Sequence, residues 1–485
     1  MTSRPTSVVS FAPFLIAWLL LVTAAGTATC ERPALLESAP NPITKTWVFD
    51  INPDRELPQY GLGARLRLRY VDYENVLALG AESEPHRRFF RIRTDLWGDR
   101  WFTPGWRLFA RINSESRTYL KCDSCESKFD EIIFENLFFE FTNQEGSPFG
   151  IRIGRQDLFY GDGFVICDGT PLDGSRTSYT NGVLLTTAIP DWSFDLFAVW
   201  NREMDEWLPR INNQYTKLLE HDEFVGGLYV QGFNPEEDPK PYTIDYYYIY
   251  KQEKTPERLA LVNTFGSRGV LSLGRARITG ELAYQGGKAP ESRFAEVDSG
   301  LVGSQSISAY GGQARLVMRP RAGLPLEVSG GYIHLTGNDP FTRNKFEGWN
   351  PVMGRWPQWS ELYIYSLNIQ GEVQPMGQGI AYWENLRSPH IGVLFSPYPE
   401  IAFEARHMWM RADTSVPLDA HAAPAQVPER PRSRGNLLVL NLSWRARAML
   451  PLIGHILYER FDPGGYYDPG AKVAHFLRFE LSTSL

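Results

Sequence analysis

Between residues 62 and 70, Leu62, Ala64, Leu66, Leu68 and Tyr70 alternate with Arg65, Arg67 and Arg69. Side chains of a strand point alternately to its two faces, so the pattern predicts a strand with one apolar and one cationic face. A helix would scatter both sets around its surface. The same unit recurs down the chain. Over 86–97, Phe90, Ile92 and Leu96 oppose Arg91, Arg93 and Asp95. Over 106–115, Trp106, Leu108, Ala110 and Ile112 oppose Arg107, Arg111 and Glu115, and over 149–156, Ile151 and Ile153 oppose Arg152. Residues 131–141 are almost wholly apolar, which leaves their facing open. Further strands are predicted at 179–188, 192–200, 224–232, 242–251, 258–266, 276–286, 306–318, 325–336, 386–395, 401–411, 436–445, 452–460 and 475–485. Segment after segment with one apolar and one polar face predicts an all-β transmembrane antiparallel barrel, apolar toward lipid and charged toward a wet lumen.

Short and long connections alternate, as periplasmic turns and extracellular loops do. This alternation decides a doubtful segment. Residues 361–373 look like a strand, but counting them would put the compact Pro397-Tyr398-Pro399 turn among the long connections and make the strand number odd. Kept inside one loop, 337–384, they leave about eighteen strands. In the last of these Leu477, Phe479, Leu481, Thr483 and Leu485 alternate with Arg478, Glu480, Ser482 and Ser484. That strand must pair with the first, since an open edge in lipid leaves backbone groups unsatisfied.

Composition agrees. Hydrophobic content is 43%, too low for a helical membrane protein, while 13% aromatic residues suit the girdles of a barrel. The net charge of -7 and the lack of a basic tract argue against a nucleic-acid partner. Arg4 followed by an uncharged run to Gly26-Thr27-Ala28 has the layout of a cleaved N-terminal signal peptide, 1–28; a single anchoring helix is the alternative. A periplasmic lead, 29–59, and the barrel, 60–485, follow. Cys122 and Cys125 form a C-x-x-C with no second such pair and no histidine at ligand spacing. A loop disulfide is expected rather than a metal site, with Cys167 as an alternative partner. The eight histidines are scattered, without H-E-x-x-H or a recognisable Ser-His motif. No enzyme and no cofactor are expected; an outer-membrane hydrolase or a structural, adhesive barrel is the alternative of another class.

The chain resembles the alginate-export family of outer-membrane porins. The segments that carry the resemblance are GRQDLFYGDG (154–163), Arg176 with Asn181-Gly182, TFGSRG (264–269), GELAYQGG (280–287), LTGND (335–339) before Phe346, and ERFDPGGYYD (459–468). It implies an eighteen-stranded barrel of the bacterial outer membrane whose arginine-rich lumen conducts an anionic polysaccharide. Asn181, where the family often has an acid, the C-x-x-C, and the Pro/Ala-rich stretch 414–433 depart from its pattern.

The pore-lining and substrate-binding candidates are Arg65, Arg67, Arg69, Arg91, Arg93, Asp95, Arg107, Arg111, Glu115, Arg152, Gln156 and Asp162. Guanidinium is permanently charged and forks onto carboxylates, which suits a path for anions. Acids on the same face are fewer, chiefly Asp95 and Glu115, so a locally positive wall is expected. The alternative is a wet lumen whose arginines pair with acids and hold the wall together. The Gly161-Asp162-Gly163 loop is expected to fold inward, with Asp162, Asp168 or Asp173 meeting these arginines; a plain extracellular loop is the other reading. Arg155 has the wrong parity for the lumen if its strand stays regular, and is read as a strand-end residue. The expected function is a channel for an anionic solute, first of all export of an acidic, alginate-like polysaccharide. An anion-selective porin for uptake of small solutes is the alternative. The expected partners are outer-membrane lipid, the anionic polysaccharide or small anion, and periplasmic export components.

Overall fold

The computed structural model describes residues 59–484 except 77–78, 80–85, 104, 123–124, 126–127, 143–148, 169–179, 190, 212–221, 233–240, 255–258, 290–304, 340–341, 343, 355–356, 367–383, 416–429, 448–450 and 468. The signal peptide and lead expected before residue 59, Asp173 and most of the 414–433 stretch lie outside the described residues.

Four two-residue strand pieces are not wall strands: Leu158–Phe159 and Cys167–Asp168 pair with each other, Arg210–Ile211 pairs with Ile132 and Ile133, and Lys345–Phe346 with Ser306 and Ile307. The others form the wall, numbered here in chain order. They are β1 (Gln59–Glu74), β2 (His86–Thr103), β3 (Trp106–Lys121), β4 (Lys128–Thr142), β5 (Phe149–Gln156) and β6 (Thr180–Ile189). Next come β7 (Trp192–Asn201), β8 (Asp222–Gly232), β9 (Tyr242–Lys254), β10 (Leu259–Leu273), β11 (Ala276–Ala289) and β12 (Gln305–Met318). The last are β13 (Leu326–Leu335), β14 (Leu386–Tyr398), β15 (Ile401–Arg411), β16 (Ser433–Arg447), β17 (Pro451–Pro463) and β18 (Ala474–Ser484). Each pairs antiparallel with the next, and β1 pairs with β18 from Arg65 opposite Ser484 to Glu74 opposite His475. The sheet is closed, with eighteen strands.

The wall obeys the alternation that predicts it. Leu62 is 76% exposed on the outside, while Arg67 and Arg69, facing inward, are 3% and 1% exposed. Most strands run past their predicted ends. In β1, Val71 and Tyr73 turn inward and Asp72 outward, continuing the alternation beyond the clean apolar-cationic stretch. Residues 361–366 form a short helix inside the barrel and not a wall strand, as the alternation of connections requires; 367–373 lie outside the described residues.

The apolar core sits within the barrel. Residues 157–168 and 336–366 fold inward from the end that carries the long connections. Leu158, Tyr160, Val165, Trp349, Met353 and Tyr363 belong to one buried cluster with inward wall residues such as Tyr229 and Phe461. Backbone bonds join the two segments: Met353 N–H donates to Val165 O (3.0 Å) and Cys167 N–H to Met353 O (3.2 Å). Together they form a plug. Cys122 and Cys125, between β3 and β4, are disulfide-bonded to each other. Cys167 is buried in the plug, not in that bond, with Gln358 Nε2 3.1 Å from its Sγ.

Candidate functional site

The inward arginines of β1–β3 and β5 form a ladder of ion pairs along the wall. Arg65 lies 2.7 Å from Asp95. Arg69 donates to Glu480, Arg91 to Glu115 and Arg93 to Glu135. Asp95 also accepts from Arg93 (3.2 Å) and Asn113 (2.7 Å). Arg107 donates to Glu140 at 2.5 Å, Arg152 Nε to the same carboxylate at 2.9 Å, and Arg111 to Asp157 at 3.0 Å. Arg67 stands among Arg65, Arg69 and Arg93, with Glu480 as its opposite charge.

The expectation of few acids on this face needs correction, because Glu135, Glu140, Asp157 and Glu480 join Asp95 and Glu115. The reason lies in β4. Its register against β3 shifts where Arg111 pairs with Asn136 and Ile112 with Phe134. That bulge at Glu135 changes the parity of the strand. Glu131, Ile133 and Glu135 face inward before it, Asn136 and Phe138 after it. No simple alternation could be read there. Glu480 was visible in the alternation of β18, but its partner became known only with the β1–β18 closure. Arg91, Arg93 and Arg107 are 1–2% exposed and packed in the wall. Removing the partners of such a buried group leaves its charge uncompensated inside the wall.

The strand β5 does not stay regular either. Gly154 takes φ +129°, and Arg155 beyond it is buried against Asn181 (2.9 Å), the Phe134 carbonyl (2.9 Å) and Asp205 (2.6 Å). Gln156 is buried and donates to the Gly182 carbonyl at 3.2 Å. The Gly161-Asp162-Gly163 turn folds inward. Asp162 accepts from Arg268 of β10 (3.0 Å), not from the β1–β3 arginines, which corrects that pairing. Arg268 also donates to Asp245 at 3.2 Å. Gly161 has φ +58°, and a Cβ there would meet Arg268 Cδ at 2.6 Å, so the close approach requires glycine. Asp168 pairs through its backbone with Leu158.

Water-facing cations lie elsewhere in the lumen. Arg315 of β12 is exposed, with Arg406, Glu404, Asp162 and Glu327 as its charged neighbours. It makes no hydrogen bond or ion pair among the described residues. Arg406 of β15 donates to Glu404 at 3.0 Å, and His390 of β14 lies beside both arginines. Arg65 and Arg152 keep partial exposure, 23% and 17%. Sequence reasoning misses Arg315 and Arg406 because Arg315 is the one charged residue of β12 and Arg406 sits beside Glu404 in β15, so neither strand shows an arginine run.

The plug is fastened to the wall by side chains. Carboxyl oxygens of Glu459 in β17 accept from Ser360 Oγ (2.5 Å) and from the N–H groups of Glu361 (2.9 Å) and Leu362 (3.0 Å), capping the helix at 361–366. Arg478 lies 3.0 Å from Glu361. Gln285 of β11 donates to the Asn350 carbonyl (2.6 Å) and accepts from its N–H (2.9 Å). Burial pushes the Tyr160 hydroxyl well above its ordinary range, and nearby Asp195 acts the same way; burial likewise raises Tyr363. Both phenols stay neutral, as a packed plug requires.

The eighteen-strand barrel has solved counterparts. Similar structures include OccK5 (OpdH) of Pseudomonas aeruginosa, at 14% identity and a TM-score of 0.52 over 87% of this chain and 98% of that one. OccAB4 of Acinetobacter baumannii gives 10% identity and 0.54 over 90% and 100%. OccK2 (OpdF) of Pseudomonas aeruginosa, solved in complex with glucuronate, gives 11% and 0.51 over 87% and 98%. At these identities the likeness is one of fold. No curated protein matches the chain. The model of the family described as Alginate export matches residues 59–436. The chain therefore belongs to the alginate-export family of bacterial outer-membrane β-barrel channels.

Proposed function

We propose that the channel conducts an anionic solute, and that its cargo is an acidic, alginate-like polysaccharide moving outward. The observation that carries this reading is Arg315, an exposed lumenal guanidinium without an ion-pair partner among the described residues, beside Arg406 and His390. A carboxylate passing this point meets the open guanidinium of Arg315, whose fork matches a carboxylate, with Arg406 beside it. Membership of the alginate-export family supports the polymeric cargo. The likeness to a barrel solved with glucuronate supports a second reading, uptake of single sugar acids.

Reversal potentials in a salt gradient across planar bilayers test the charge preference. Anion selectivity is expected for the native channel. The Arg315→Glu/Arg406→Glu pair should weaken or reverse it, since four charge units change within a Debye length of about 8–10 Å. Native cation selectivity, or a variant indistinguishable from the native channel, would overturn the proposal. Current block by uronate oligomers but not by monomeric uronate favours the polysaccharide; the converse favours uptake of small solutes.

A further inference from the structure

The outward face of β13–β15 carries a second cationic cluster, unrelated to the lumen. Register places His334 opposite Arg387, and Arg387 opposite Arg411, so the three form one row across three strands. The row lies at the long-connection end, which is the extracellular end of such barrels. Arg387 and Arg411 are like charges directly opposite on neighbouring strands, which destabilises a sheet unless a counter-charge relieves them. Asp413 supplies one carboxylate, shared by Arg387 (2.6 Å) and His334 (2.8 Å). Burial alone would raise the Asp413 carboxyl, but those two bonds and a third from the Gly337 N–H (3.2 Å) hold it below its ordinary value, so it stays charged. Arg411 is exposed and makes no hydrogen bond or ion pair among the described residues. Arg432, in the following connection, is exposed as well and donates to Ser415 (3.0 Å). Elsewhere on the outer surface Arg88 has Asp72, and Arg460 has Asp462.

Beneath the row the same face becomes aromatic, then aliphatic. Tyr332 and Trp409 come directly below, followed by Ile391, Val393 and Val328, all substantially exposed. A ligand that fits has anionic groups at the membrane surface and apolar chains alongside the wall. A free anion would use only the upper part. We propose that His334, Arg387 and Arg411 bind the phosphorylated headgroup of a glycolipid in the outer leaflet, with Tyr332 and Trp409 against its first acyl carbons. Arginine forks onto phosphate oxygens, and aromatic rings sit at the level where headgroup meets chain.

Native mass spectrometry of the full-length barrel in detergent, with added lipopolysaccharide, tests the site. Diphosphorylated lipopolysaccharide should stay bound where its dephosphorylated form is lost. Arg411→Gln removes no protein contact and should weaken binding about fivefold, the effect of one basic residue at a membrane surface. Arg460→Gln, outside the row, should leave binding unchanged. Equal retention of the dephosphorylated lipid, or native-like binding by Arg411→Gln, overturns the proposal. So does equal loss in Arg460→Gln, which would mean diffuse attraction. Full displacement by millimolar inorganic phosphate overturns the lipid assignment in favour of a free-anion site.

Discussion

Removing the Glu459 carboxyl should undock the plug while leaving the wall assembled. Glu459 accepts three hydrogen bonds at the start of the 361–366 helix, from Ser360 Oγ, Glu361 N–H and Leu362 N–H. Each such hydrogen bond contributes about 0.5–1.5 kcal/mol net, and a buried donor left without its acceptor costs about 1–3 kcal/mol. These contributions are not additive, and water entering the lumen recovers part of the loss. Loss of a helix cap alone costs about 1 kcal/mol. We take ~3 kcal/mol for Glu459→Ala, which shifts the ratio of docked to undocked plug by about two decades. The Arg478–Glu361 contact remains and sets the limit of the effect. Single-channel recording is the assay: the variant should show long-lived openings of higher conductance that the native channel rarely visits. Ser360→Ala removes one donor and leaves the wall untouched, so it should show the same change in smaller degree. If both variants assemble as heat-modifiable barrels and their openings match those of the native channel, Glu459 does not hold the plug and the reasoning fails.

Three other predictions separate wall, membrane face and loops. Arg69→Ala leaves Glu480 with Arg67 and Arg478 and should cost up to the roughly 3–5 kcal/mol of a broken buried pair in urea unfolding from vesicles, whereas Arg315→Ala should cost almost nothing; equal costs would remove the distinction between ladder and lumen. Leu68→Arg places a charge against lipid and should cost about 2–4 kcal/mol in the same assay; normal assembly would mean the facing is backwards. Mass spectrometry of non-reduced peptides should find Cys122 joined to Cys125, and Cys167 should resist thiol reagents until the barrel unfolds; stoichiometric zinc would contradict the disulfide.

Much of the fold was legible because a barrel repeats one local rule. Arg65, Arg67 and Arg69 face inward simply because Leu66 and Leu68 face lipid, and no distant contact is needed to know it. What the alternation could not supply was partners. Glu135 hides in an apolar strand whose parity flips at a bulge, and Glu480 meets Arg69 across a chain separation of 411 residues. The Asp162 loop was read as turning inward from its glycines, yet its arginine lies on β10, since nothing local tells which wall a loop will reach. Arg315 carried no signal at all. A lone arginine in a strand reads the same whether it is paired or open to a solute.

Most segments that carry the family resemblance meet at the plug, although Asn181-Gly182 lies in the wall strand β6 and Arg176 outside the described residues. GRQDLFYGDG supplies the Gly154 kink, Asp157 on Arg111 and the inward Asp162, and TFGSRG supplies the Arg268 that holds Asp162. GELAYQGG contributes Gln285 on Asn350, LTGND leads into the inward segment, and ERFDPGGYYD begins at Glu459. These motifs build and fasten the plug. Arg315 and Arg406, the cations a solute would meet, lie outside all of them. A channel whose recognisable sequence is its plug can keep that plug while its exposed lumenal charges change. Family membership therefore speaks more directly to how this barrel is closed than to what it carries, and the cargo has to be decided at Arg315 and Arg406.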